Sequence, residues 1–213
     1  GNQGVSHSEG QGYGMLMAEA VGDRAAFDRM LAWTRRTLKR PQDNLHAWRF
    51  VPNQGLGIND FNNATDGDLY IAWALLRAAE RWPSLEYRRI AQAITRDVLR
   101  ACVVTVERRV VLLPGVEGFR RGQHVVINPS YYAFHAMRAV AVLEPSPNWA
   151  RVEADGLAIL RDARFGRWEL PPDWLALPQA GGRSVVAPGW PARFSWDAVR
   201  VPLNLAWSGL TEE

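Results

Sequence analysis

Apolar residues recur at helical spacing in about seven stretches of this chain, and that periodicity restricts the fold more than any other feature of the sequence. Ser8 and Gln11 form a capping-box pattern ahead of Met15, Leu16, Ala18 and Ala20, which predicts a helix over 8–22. A second helix starts near Asp23, buries Phe27, Met30, Leu31 and Leu38, and stops before Pro41. A third opens at Thr65, with Asp68 as its capping partner, and continues through Ile71, Leu75 and Leu76. Further helices are expected over 84–100, 128–142 (opened by Asn128-Pro129-Ser130), 147–161 and 194–210. The connections are of two kinds, short ones and long decorated ones, as helical hairpins in series require. Only 103–113 changes period, to β-branched alternation broken at Arg108 and Arg109, which predicts a short β-hairpin. The stretch 165–190 is too apolar for a linker and too broken for a helix. The expected class is therefore all-α, with one short hairpin.

Apolar residues make up 47 % of the 213, enough for one large core or two small ones. The 25 basic and 22 acidic side chains leave a net charge of +3, and no polybasic run points to a nucleic acid. Lys39 is the only lysine, so Schiff-base chemistry would rest on one helix-end residue that looks exposed. Cys102, alone in an apolar run, reads as a buried small hydrophobe. His7, His46, His124 and His135 never fall at metal-ligand spacing, so no metal is expected. The longest apolar runs, such as 71–76, are far too short for a membrane span. The first eight residues carry no leader pattern and read as if cut from something longer.

Three segments concentrate chemistry. In Ser8-Glu9-Gly10-Gln11-Gly12-Tyr13-Gly14-Met15 the glycines lack the preceding strand of a dinucleotide loop. They would instead keep the surroundings of Glu9 bare, although Glu9 could equally be an acid offsetting the helix dipole. Asn63-Ala64-Thr65-Asp66-Gly67-Asp68 sets two more acids at a helix start; Asp68 satisfies the capping position, which leaves Asp66 the odder of the two. In Ser195-Trp196-Asp197-Ala198-Val199-Arg200, an ordinary i, i+3 ion pair between Asp197 and Arg200 would explain both residues. The recurrence is what counts. Hydrolysis of a glycosidic bond takes two acids held apart and aromatic platforms for the sugar rings. Of ten tryptophans, Trp48, Trp168, Trp174 and Trp190 lie in polar, turn-rich stretches where a platform is a natural reading.

With Leu112-Leu113-Pro114-Gly115, Gly118-Phe119 and Asn128-Pro129-Ser130-Tyr131, these segments occur in one order along nearly the whole chain. In that set the chain resembles glycoside hydrolase family 8, and within it the periplasmic endoglucanases made alongside bacterial cellulose synthase. The resemblance implies an inverting β-1,4-glucanase on an (α/α)6 barrel of six helical hairpins, with no cofactor and no metal in its chemistry. It matches Glu9 to the general acid, Asp197 to the general base, and Asp66 to the residue that holds the distorted sugar. Tyr131 and Arg200 match groups around the attacking water and the base, and Trp48 resembles a stacking platform in the cleft. Trp174 and Trp190 are further platform candidates. These roles require Glu9 to stay protonated, which burial and the charge of Asp66 would favour, and Asp197 to stay ionised, which Arg200 would favour.

The resemblance also implies a β-1,4-linked glucan as substrate, the cellulose synthase complex as a partner, and a periplasmic or secreted location. A xylanase or chitosanase of the same family, or a non-catalytic carbohydrate-binding module, is the alternative. About seven helices fall short of six hairpins, so 1–213 is expected to be a single catalytic domain that forms a partial barrel, lacking the first and last few helices. Met15, Leu16 and Met17, and Val201, Leu203, Leu205 and Trp207, should then be partly bare and prone to pair with a second copy or to aggregate. Glu9, Asp66 and Asp197 should line one groove with Trp48 and Tyr131 on its walls, the acid and base about 6.5–9.5 Å apart.

Overall fold

The helical periodicity is realised in a computed structural model that describes residues 3–52, 55 and 57–210. Seven α-helices are present among those residues: α1 (Ser8–Ala20), α2 (Arg24–Thr37), α3 (Thr65–Arg81), α4 (Leu85–Ala101), α5 (Phe134–Val140), α6 (Pro147–Asp162) and α7 (Arg200–Trp207). None is long and apolar enough to cross a membrane. The chain divides into two compact units, Gly1–Arg100 with Ala139–Glu144, and Ala101–Arg138 with Pro145–Glu213.

In the first unit α1 packs against both α2 and α3. The approach to α3 is close, for a Cβ on Gly12 would stand 2.6 Å from the Cβ of Tyr70. Met15, Phe27, Leu31, Leu38, Ile71, Leu75 and Leu76 are buried, as the periodicity predicts, whereas Met30 is only half-buried. The second helix begins where expected, and Asp23 caps it, its Oδ1 accepting from Ala26 N–H at 2.9 Å. The two capping-box expectations fail. His7 rather than Ser8 is the N-cap of α1, and Gln11 Nε2 donates instead to Ser6 Oγ, because a two-residue strand β1 (Ser6–His7) pairs with β2 (Arg49–Phe50) directly before the helix. Ala64 rather than Thr65 precedes α3, and the Asp68 side chain is committed elsewhere.

The α1–α3 contact carries a buried acid, Glu19, whose carboxylate accepts from Arg77 Nε at 2.7 Å and Arg81 Nε at 2.8 Å. Burial alone would raise its pKa, but the bonds to Arg81 and Arg77 outweigh it and hold the carboxyl below its usual range. A depressed folded pKa stabilises the native state above the ordinary value of 4.5, and that stabilisation is lost as pH falls through the folded value. Glu19→Gln should therefore cost about 2 kcal/mol in urea titrations at neutral pH, with the difference closing in acid.

In the second unit the expected hairpin is present as β3 (Val103–Val106) and β4 (Arg109–Leu112), turning through Glu107 at φ 57°. Helix α6 lies against β4, and Asp155 on that helix accepts from Val110 N–H at 2.7 Å. Cys102 is buried, as its apolar surroundings imply.

Three expectations are corrected here. The chain is not all-α beyond that hairpin, for β5 (Arg120–Arg121), β6 (His124–Ile127), β7 (Leu175–Pro178) and β8 (Val185–Val186) form a four-stranded antiparallel sheet in that order. Its central pairing sets Val125 opposite Leu177 and Ile127 opposite Leu175, a long-range match that local periodicity cannot reveal. The helix expected over 128–142 is a 3-10 turn, Pro129–Tyr131, followed by the shorter α5. The last helix starts at Arg200 rather than at 194, because Asp173 Oδ1 accepts from both Ser195 N–H and Ala198 N–H, each at 2.9 Å, and holds that segment in a turn.

The expected bare residues divide. Met17, Leu203 and Trp207 are exposed, Leu16 and Leu205 are half-buried, whereas Met15 and Val201 are buried.

Candidate active site

The first unit gathers Glu9, Asp66 and Trp48 around the start of α1. Glu9 is the second residue of that helix and is half-buried. The preceding residue, Ser8, donates its backbone N–H to the Trp48 carbonyl at 3.0 Å, and the β1–β2 pairing sets His7 opposite Arg49. The Trp48 ring lies 5.7 Å from the His7 ring, carries the Arg49 guanidinium at 5.0 Å, and donates from Nε1 to Asp60 Oδ2 at 2.9 Å. Burial and the Arg49 cation hold the His7 imidazole below its usual pKa, with the Glu9 charge opposing them.

Asp66 is buried in the first turn of α3, where its Oδ1 accepts from Gly67 N–H at 2.8 Å. The two helix starts touch. A Cβ on Gly67 would stand 2.3 Å from Ser8 Oγ and 2.7 Å from Glu9 N, so glycine lets the backbone that follows Asp66 rest on the backbone of Glu9.

Asp68 is not a cap. Its Oδ1 accepts from His46 N–H at 3.0 Å and faces His46 Nδ1 at 2.8 Å, and its Oδ2 accepts from Asn63 Nδ2 at 3.0 Å. Burial pushes this carboxyl up, against the pull of the His46 and Asn63 bonds. Asp68 thus ties α3 to the segment that carries Trp48, which is also closed by the Ala47–Asn63 bridge and by Trp48 N–H on the Asn62 carbonyl at 2.9 Å.

The second unit gathers Asp197, Arg200 and Tyr131. Arg200 Nη2 lies 2.9 Å from both Asp197 Oδ1 and Ser130 Oγ, and its guanidinium sits over the Tyr131 ring at 5.6 Å. The i, i+3 pair is real, but Asp197 stands ahead of the helix that Arg200 opens, and the pair lies inside a wider network. Trp174 lies 6.3 Å from Tyr131 and stacks between Phe119 and Trp190, at 5.9 and 5.5 Å, against Val126, Ala176 and Ala187 of the sheet region. Trp190 in turn carries the Arg121 guanidinium at 4.4 Å. Trp168 stands apart, 70 % exposed under Arg167. Sequence reasoning gave no role to Ser130, Asp173 or His46, which reach Arg200, Ala198 and Asp68 across long stretches of chain.

The sequence model of glycosyl hydrolases family 8 matches residues 1–213. This chain belongs to glycosyl hydrolase family 8. It is 46 % identical over 208 residues to a "Probable endoglucanase" of Novacetimonas hansenii, covering 98 % of this chain and 61 % of that protein. It is also 46 % identical over 206 residues to an "Endoglucanase" of Cellulomonas uda, covering 97 % and 57 %. Among solved structures it matches the endo-β-1,4-glucanase CMCax of Acetobacter xylinum, with a TM-score of 0.94 and 46 % identity, covering 99 % of this chain and 66 % of that one. The chain thus spans about three fifths of the length of the relatives it matches.

Proposed function

We propose that this family 8 chain carries the chemistry of an inverting endo-β-1,4-glucanase acting on soluble cellulose-type glucan. The observation that carries the reading is the setting of the carboxylates. Glu9 and Asp66 stand on touching helix starts, and Asp197 is held by Arg200 ahead of a third helix. The endoglucanase relatives, 46 % identical along nearly the whole chain, support it.

In this reading Glu9 gives its proton to the departing glycosidic oxygen, and Asp197 takes the proton of the water that attacks the anomeric carbon from the opposite face. One glycosidic C–O bond breaks as the water C–O bond forms, with no covalent intermediate, so the new reducing end appears as the α-anomer. Arg200 fixes the Asp197 carboxylate, Tyr131 packs beneath Arg200, Asp66 holds a hydroxyl of the distorted sugar, and Trp48 offers an apolar face to a ring. Trp174 and Trp190 extend the aromatic surface beside Tyr131. We place the chain on an (α/α)6 scaffold as one catalytic domain, working in the periplasm or outside the cell beside the cellulose synthase complex.

Proton NMR of fresh hydrolysate tests the stereochemistry: α-anomer first supports the reading, and β-anomer first overturns it. Reducing-sugar release from carboxymethylcellulose, xylan and chitosan, run side by side, should be greatest on the first; a preference for either of the others would reassign the substrate.

A further inference from the structure

Asp197 is held by more than its ion pair with Arg200. The Nη2 of Arg200 has two N–H groups, and two acceptors, Asp197 Oδ1 and Ser130 Oγ, lie 2.9 Å from it. Because the hydroxyl of Ser130 accepts from a guanidinium, which can only donate, its own proton must go elsewhere. Asn128 Oδ1 lies 2.7 Å away and takes it. The same Oδ1 accepts from Ser130 N–H at 3.0 Å, so the Asn128 amide cannot be reversed without turning its NH2 toward that donor. The direction of every bond from Asn128 to Ser130, Arg200 and Asp197 is therefore fixed by the donor and acceptor inventory.

The backbone is fixed as well. Ser130 sits in the 3-10 turn Pro129–Tyr131 that Asn128 caps, and Asn204 of α7 donates from Nδ2 to the Ser130 carbonyl at 2.9 Å. Ser130 and Asn128 are fully buried, so no solvent competes for these bonds. The Nδ2 of Asn128 is buried with no hydrogen-bond partner among the described residues, a stability cost accepted at the one amide whose oxygen fixes Ser130.

We propose that Ser130 is a positioning residue for hydrolysis, acting through Arg200 on the orientation of Asp197, with Asn128 setting the direction of its hydroxyl. This rests on the reading of Asp197 as the base. Without the Ser130 acceptor the guanidinium can turn about Cδ–Nε, and the carboxylate bonded to it shifts with it. Misplacement of a base by a fraction of an ångström is felt in the chemical step and not in substrate affinity.

The test is Ser130→Ala in the intact protein, with Asp197→Asn as the control. Expected for Ser130→Ala is a fall in kcat of about tenfold, the size of one charge-assisted hydrogen bond. KM and cello-oligosaccharide Kd should stay within about twofold, and the melting temperature within about 3 °C, of the parent. Ser130→Thr, which keeps the hydroxyl, should recover most of kcat. Ser130→Cys, which keeps the volume but accepts weakly, should behave like the alanine variant and serves if that variant fails to fold. Unchanged kcat in both the alanine and cysteine variants overturns the proposal, and so does a loss of kcat that Ser130→Thr does not recover. If Asp197→Asn itself stays active, the base assignment falls; if that variant is dead while Ser130→Ala is fully active, only the role of Ser130 falls.

Discussion

If Glu9 is the proposed general acid, Glu9→Gln should lower release of reducing ends from carboxymethylcellulose by about 10³-fold, the contribution of a positioned general acid, while the Kd for cello-oligosaccharides should stay within about twofold. The amide matches the carboxyl in size and keeps an acceptor, but it has no proton to give to a leaving alkoxide. The fold has no reason to change, for Glu9 is only half-buried and its helix is set by the β1–β2 pairing before it and by the contact with Gly67. Kinetics and isothermal calorimetry on the same preparation separate the two quantities. Near-parental turnover in the glutamine variant would falsify the assignment of Glu9, and equal losses of turnover and affinity would show that it binds sugar instead.

The second large effect is on stability. Asp68→Ala should cost about 3–5 kcal/mol, because it strips the acceptor from buried donors that have been taken out of water. Asp68 is fully buried, and its loss would take an acceptor from both His46 N–H and Asn63 Nδ2 and leave His46 Nδ1 facing a hole. Asp68→Asn should recover only part of this: one carbonyl oxygen can still receive His46 N–H, but the new NH2 must face a donor on His46 or Asn63. Urea denaturation read by tryptophan fluorescence measures both. Because Asp68 holds the segment that carries Trp48, the alanine variant should also bind cello-oligosaccharides several-fold more weakly. An alanine variant as stable as the parent would show that the segment is held by its backbone pairings alone.

Much of this molecule is legible in its sequence because its helices are amphipathic and their cores local. Phe27 and Leu31, or Ile71 and Leu75, declare a buried face within two turns of themselves. The caps mislead for a definite reason. Ser8 and Asp68 have the right residue types at the right spacing, but a strand pairing 42 residues away takes the N-cap from Ser8, and His46, 22 residues upstream, claims Asp68. The four-stranded sheet is hidden because β6 finds its partner about 50 residues later, in a segment whose prolines and tryptophans read as irregular. The candidate residues Glu9, Asp66 and Asp197 stand out in the sequence by the recurrence of acids near helix starts, and their proposed roles come from the family resemblance. Those missed, Ser130 and Asp173 among them, are ordinary residues that join the site through partners distant in the chain, Arg200 and Ala198.

The contact between the starts of α1 and α3 limits how this site can evolve. A side chain at position 67 would collide with Ser8 Oγ, which an exchange at Ser8 could relieve, but also with Glu9 N at 2.7 Å and Ser8 C at 2.9 Å, which no exchange of side chains can move. No single compensating substitution opens a path away from glycine there, and the spacing of the two acid-bearing backbones is inherited as a fixed dimension. If the chain cleaves glycan as proposed, variation among descendants in the length or type of chain accepted must therefore be sought in the surrounding loops and aromatic residues, while that contact of backbone on backbone stays the same.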